Sequence, residues 1–230
     1  MPSRRPSRLA LSVLALAFAA GCARLPAGDA AGTPAGATAA RGFGVVSDGQ
    51  GALLGAATAV APELLVTNAH VVGTTASVRL TRGDGGAVVA AAVVRRVTGA
   101  DLVLLRAERP AFDAPACLGS APATGEPVWA VGAPRLGSAV ASGVVARASA
   151  RMDGFGAGFT ARMPALMGHS GGPVVDRDGC LVGIATALVS PGAAAVLGAF
   201  AGVDLAGIAG QEREVFALGL PVVAEALAPP

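Results

Sequence analysis

The sequence predicts an all-β fold, a sandwich or barrel built from short strands, on three observations. From Phe43 onward, β-branched apolar runs alternate with glycine-bearing turns. The chain carries 33 glycines and 16 prolines in 230 residues, which supplies many turns and disfavours a helical bundle. Apolar residues make up 53% and charged residues 14%, so the chain has the apolar surface that a disordered segment lacks. The length fits one such unit or two small ones sharing an interface.

The N-terminus is an address. Arg4, Arg5 and Arg8 precede a largely apolar run, Leu9–Ala20, of 12 residues. A bilayer span needs roughly 20 residues, so a signal peptide over residues 1–21 fits better. The run ends in Phe18-Ala19-Ala20-Gly21-Cys22, which resembles a bacterial lipoprotein lipobox. The resemblance implies diacylation of Cys22 and attachment to a membrane through an N-terminal lipid. The exported chain would then stand in the periplasm or at the cell surface. Ala23 after the cysteine, rather than the aspartate of inner-membrane retention, points to the outer membrane. Removing residues 1–21 takes away three arginines and no acid, turning a net charge of +2 into −1. Neither value suggests a nucleic-acid partner. Residues 22–42 are rich in Ala, Gly, Pro and Thr without apolar periodicity and read as a flexible tether.

Strands are expected over 55–61, 64–68, 76–81, 87–98, 102–107, 128–132, 140–148, 181–188 and 194–203. The turns between them include Arg82-Gly83-Asp84-Gly85-Gly86, Thr124-Gly125-Glu126-Pro127 and Asp176-Arg177-Asp178-Gly179. The Pro/Ala-rich segment 108–123 could link two halves. One short helix is expected around Val222–Leu227. No internal repeat is visible residue by residue. Cys117 and Cys180 could pair in an exported chain or remain two buried thiols. Two histidines and dispersed cysteines give no metal-ligand spacing, and no cofactor is expected.

Few residues can do chemistry. His70 follows an apolar strand that ends in polar residues, Leu64-Leu65-Val66-Thr67-Asn68-Ala69. Asp101 stands directly before Leu102-Val103-Leu104-Leu105. Each alone reads equally as a structural residue. Ser170 sits in Gly168-His169-Ser170-Gly171-Gly172-Pro173, where glycines allow the backbone to turn N–H groups toward a reacting oxygen. A serine hydroxyl needs a base, and the base needs a carboxylate to fix its tautomer. The sequence offers one of each.

These segments resemble the His, Asp and Ser motifs of chymotrypsin-fold serine proteases, most nearly the bacterial trypsin-like peptidases of the DegP/HtrA type. The order agrees, with 31 residues from His70 to Asp101 and 69 from Asp101 to Ser170. Gly125-Glu126-Pro127-Val128-Trp129 and Gly179-Cys180-Leu181-Val182-Gly183-Ile184 resemble further strands of that fold. The resemblance implies two antiparallel six-stranded β-barrels with the site between them. Residues 43–112 would form the first, bearing His70 and Asp101, and 113–230 the second, bearing Ser170. It implies Ser170 as nucleophile, His70 as general base, Asp101 as orienting carboxylate, and the N–H groups of Gly168 and Ser170 as oxyanion hole. The substrate would be a peptide or protein. Pro164, Thr186 and Leu188 would wall the primary pocket, which lacks a carboxylate and so suits an apolar side chain.

Three departures stand out. His169 replaces the aspartate that digestive relatives pair with a newly cut N-terminus, so no activation of that kind is expected. The chain runs 60 residues past Ser170, so no PDZ domain is expected. Gly55-Ala56-Ala57 stands where Gly-Ser-Gly is common, a change expected to touch packing alone. An esterase elbow also matches G-x-S-x-G, but it needs a helix after the serine and a histidine downstream, and neither is in the sequence. A non-catalytic binding module on the same fold remains the alternative.

Overall fold

The structure, a computed structural model, describes residues 25–135, 137–189 and 210–228. The expected strand at 194–203 and the lipobox cysteine Cys22 lie outside these residues. Twelve strands form two closed barrels. The first contains β1 (Phe43–Ser47), β2 (Leu53–Ala59), β3 (Leu64–Thr67), β4 (Ser77–Arg82), β5 (Val88–Arg96) and β6 (Val103–Ala107). The second contains β7 (Pro127–Val131), β8 (Val140–Met152), β9 (Gly156–Met163), β10 (Pro173–Val175), β11 (Leu181–Leu188) and β12 (Arg213–Gly219).

Strand order around the first barrel is β1-β2-β3-β6-β5-β4, all pairs antiparallel. Around the second it is β7-β8-β9-β12-β11-β10, the same order six strands later. The two halves therefore repeat a topology that their residues do not reveal. Closure leaves no unpaired edge for a further strand to join. Alternation sets the faces: along β5, Val89 and Ala91 point inward while their neighbours are exposed.

Each barrel has its own core. Val46, Leu65, Leu80, Val103 and Leu105 fill the first, and Val128, Val145, Phe159, Met163 and Val182 the second. A third cluster joins them. Val66, Leu102 and Leu104 of the first barrel meet Leu181, Ile184, Phe216 and Leu218 of the second. The C-terminal helix, Leu220–Leu227, buries Val222, Val223 and Ala226 on the same cluster. Pro221 is tolerated in its first turn, where the missing N–H would be unpaired anyway. Arg95 of β5 donates to the carbonyls of Glu225, Ala226 and Ala228 at the helix's far end.

Residues 25–41 correct one expectation: they are not a tether. Two short helices, α1 (Pro26–Ala30) and α2 (Gly36–Arg41), pack Ala30, Ala35 and Ala39, each fully buried, against Phe43, Ala56, Val131, Ala133 and Val175. Alanine without helical periodicity looks like linker composition, yet its small size lets the backbone lie flat on both barrels. The one-turn helix α3 (Ala69–Val72) follows β3, and the C-terminal helix is α4.

Candidate active site

β3 ends at Thr67, and the chain turns through Asn68 into α3, which carries His70. Asp101 lies just ahead of β6, the neighbour of β3 in the barrel. The ladder between those strands thus brings the two residues together. Asp101 Oδ1 accepts from the His70 backbone N–H at 2.9 Å, and Oδ2 meets His70 Nδ1 at 2.5 Å. This two-point grip fixes the ring's direction. It keeps the Nδ1 proton on the carboxylate side and leaves Nε2 as an acceptor. Asp101 is 7% exposed, whereas the His70 side chain is half open.

Asn68 reinforces the pair. Its side-chain amide donates to Asp101 O at 2.8 Å and to Thr186 Oγ1 at 3.1 Å, linking the first barrel to β11 of the second. Phe155, at the turn of the β8–β9 hairpin, accepts from the Asp101 N–H at 3.0 Å. Its ring meets the His70 ring edge-on, with centroids 6.4 Å apart.

Ser170 lies in the loop between β9 and β10. Gly168 and Gly171 adopt φ of +104° and +87°. Space demands glycine there too: a Cβ on Gly171 would come 2.0 Å from Ala56 O, and one on Gly168 would come 2.6 Å from Ala133 O. The loop is gripped by β2. Ala56 N donates to Ser170 O at 2.9 Å, and Thr58 Oγ1 donates to Gly171 O at 3.0 Å. The Gly55-Ala56-Ala57 stretch, expected to affect packing alone, therefore holds the serine's own carbonyl.

Ser170 Oγ donates to Thr186 O at 3.1 Å and makes no hydrogen bond to His70 in this structure. Both side chains nevertheless line one cavity of about 320 Å³. Among the described residues, neither the Gly168 nor the Ser170 N–H has a protein acceptor. The cavity wall is apolar, with Ala165, Leu166, Leu188 and Val215, and among the described residues no acidic side chain lines it. Thr186 and Leu188 are among its lining residues and Pro164 is not; Ala165 and Leu166 form that part of the wall. Val215 comes from β12, a strand that sequence patterning did not delineate. Met167 stands at the mouth, 74% exposed.

His169 turns inward and is 3% exposed. Its Nδ1 lies 3.1 Å from Leu166 O, while Nε2 is buried with no partner among the described residues. Burial holds its pKa well below the ordinary 6.5, at about 4, against a smaller opposing pull from the Leu166 backbone. A proton on Nε2 would be a donor with nothing to receive it. The neutral ring meets both backbone groups of Leu166 through Nδ1, which also lies 3.3 Å from the Leu166 N–H. Cys117 and Cys180 form a disulfide, S–S 2.04 Å, which fastens the inter-barrel segment beside the start of β11. Gly119 N donates to Leu181 O at 2.8 Å and Leu181 N to Cys117 O at 3.0 Å, extending that attachment.

Two six-stranded barrels with a His–Asp pair on one and a glycine-framed serine on the other define a chymotrypsin-like fold. The profile of the trypsin-like peptidase domain matches residues 42–184, and the chain belongs to that family. No curated protein sequence matches it. Solved structures similar to it share the fold. The HtrA-type protease AlgW, with a bound tripeptide, superposes with a TM-score of 0.65 at 23% identity, over 85% of this chain and 62% of that chain. The Rv3671c protein of M. tuberculosis, in an inactive form, gives 0.62 at 19% identity, over 90% and 91%. The MamO protease domain of Magnetospirillum magneticum gives 0.59 at 22% identity, over 83% and 97%.

Proposed function

We propose that this protein is a serine endopeptidase that cleaves peptide bonds through an acyl-enzyme. The observation that carries the reading is the doubly held His70–Asp101 pair facing the same cavity as Ser170. On substrate binding the Ser170 hydroxyl exchanges its bond to Thr186 O for one to His70 Nε2. Oγ attacks the scissile carbonyl carbon, and its proton passes to Nε2. The resulting imidazolium is stabilised by Asp101, which stays ionised. The Gly168 and Ser170 N–H groups, free of protein acceptors among the described residues, receive the developing oxyanion. Collapse breaks the C–N bond while His70 returns the proton to the leaving amine. Water then repeats the cycle on the acyl-serine, with His70 again as base and then acid.

The apolar wall of Ala165, Leu166 and Val215 favours an apolar side chain ahead of the scissile bond, and among the described residues the wall carries no counter-charge for Arg or Lys. The Cys22 segment supports export and lipid anchoring as part of the same reading. No helix among the described residues is long and apolar enough to cross a membrane.

The serine's bond to Thr186 O favours one second reading, a non-catalytic binding module. A fluorophosphonate probe separates the two. The enzyme labels at Ser170 and loses labelling in His70→Ala and Ser170→Ala. A folded wild-type chain that never labels would mean a binding module. For the anchor, radiolabelled palmitate should enter the wild-type chain and not Cys22→Ala, which should leave the membrane fraction.

A further inference from the structure

The helices α1 and α2 precede the matched peptidase domain, which begins at residue 42, yet they are bonded to both barrels. Ala27 N donates to Gly83 O and Asp84 N to Ala40 O on the first barrel. On the second, Asp29 Oδ2 accepts from the Ala139 backbone N–H at 2.9 Å and from Ser138 Oγ at 3.4 Å. Ala139 O in turn accepts from Gly132 N at 2.8 Å, and the adjacent Ala133 N donates to Gly168 O at 2.9 Å. The same contact has an apolar side, since Ala30 and Ala35 pack in one cluster with Val131 and Ala133. Gly132 is itself pressed against the His169 ring, so close that a Cβ there would lie 2.5 Å from His169 Cγ.

Ala133 holds the Gly168–His169 peptide by its carbonyl, and the N–H of Gly168 lies one residue's φ and ψ away from that fixed peptide, at a residue with no side chain to restrain it. Ala133 is in turn set by the segment that Asp29 secures. We propose that the α1–α2 strap is an intramolecular activating element, with Asp29 the positioning residue that sets the oxyanion loop through Ala139, Gly132 and Ala133. The proposal rests on the serine-endopeptidase reading. Asp29 touches no reacting atom; it acts through backbone that aims one oxyanion donor.

The test uses the full chain as wild type, Asp29→Ala, Asp29→Asn, Arg41→Ala and Ser170→Ala. Kinetics on a chromogenic peptide are read beside amide hydrogen exchange over 132–139 and 166–170. Asp29→Ala should lower kcat about 10-fold, short of the roughly 10²–10³ lost with a whole donor. Its KM should stay within about 2-fold, because the pocket wall is untouched. Exchange in both segments should rise. Asp29→Asn keeps a weaker, uncharged acceptor and should fall between. Arg41→Ala removes only the exposed pair with Asp113 at the end of α2, where Arg41 Nε meets Oδ2 at 2.5 Å, and leaves the Asp29 contacts in place, so kcat should stay unchanged.

Wild-type kcat and exchange in Asp29→Ala would overturn the proposal. So would equal kcat losses in Asp29→Ala and Arg41→Ala. Should Asp29→Ala fail to fold, exchange in Asp29→Asn decides, with unchanged protection counting against the strap. If the wild-type chain neither cleaves nor labels at Ser170, the endopeptidase reading falls separately, and the exchange data still decide whether the strap orders the loop.

Discussion

His169 lies between the two N–H groups assigned to the oxyanion hole, and its ring is sealed from water. In the folded chain it stays neutral down to about pH 4, whereas the unfolded chain takes up that proton near 6.5. Between these values the unfolded state binds more protons, so stability is complete above about 6.5 and falls as the pH drops toward 4. The difference amounts to about 3 kcal/mol at this one position. His169→Asn removes the titration and keeps an uncharged polar group. Urea unfolding at pH 7.5 and pH 4 should then show a pH-dependent loss about 3 kcal/mol smaller in the variant than in wild type. Equal losses in the two proteins would mean that the buried ring does not govern acid stability. His70, open to the cavity and gripped by Asp101, is a different kind of histidine, and its motif made it legible in the sequence. His169 was legible only as a neutral loop residue. Its burial depends on Gly132, a neighbour 37 positions away that no local pattern connects to it.

Elements differ in how plainly the chain announces them. β3, β6 and β11 are apolar runs of strand length, and the sequence marks all three. β9, Gly156–Met163, contains Gly, Ala, Thr and Arg, and is a strand because β8 and β12 pair along both its edges. β10 has three residues after the serine loop, too few for any periodicity. β12 opens with Arg213 and Glu214, which hide its apolar half, and so the Val215 wall of the cavity was missed with it. Tertiary pairing overrides weak local preference in each case. The helix α4 was legible from its apolar spacing, but not what secures it. Its last carbonyls have no partner within the helix. Arg95 reaches across from the first barrel to supply three hydrogen bonds, which also ties the barrels together. Arg95→Ala should lower stability by about 1–2 kcal/mol, as expected for charge-assisted bonds at a half-exposed site. Activity at 25 °C should hold, since α4 contributes nothing to the cavity wall. Thermal unfolding and kcat measured on the same preparation check both halves; an unchanged melting temperature would remove the cap from the account.

At the scale of the whole molecule, the same strand order in both halves places corresponding loops face to face, and the site falls where they meet. That arrangement needs only inward and outward alternation in each strand, not similar residues, which is why the repeat is invisible in the sequence while the motifs at its centre are plain. The interface is held by the shared apolar cluster, by Asn68 reaching Thr186, by Arg95 on α4, and by the segment that crosses between barrels. The disulfide acts on that segment. It links residues 63 apart, and the enclosed loop contains β7 to β10 together with Ser170. Closing a loop of this length restricts the unfolded chain more than it alters the folded one, a stabilisation of roughly 2–4 kcal/mol. The double variant Cys117→Ser/Cys180→Ser should therefore unfold at lower urea. Its unfolding should also depend more steeply on urea, because the unlinked chain exposes more surface once unfolded. The site should survive below the transition. β11 is paired on both sides, by β10 and β12, and it carries Thr186 at the end remote from Cys180. Fluorophosphonate labelling of Ser170 at 25 °C should match wild type. A variant with an unchanged urea midpoint would show that the linkage does not constrain the unfolded chain. One that keeps its midpoint but loses labelling would place the disulfide's effect on the folded site instead.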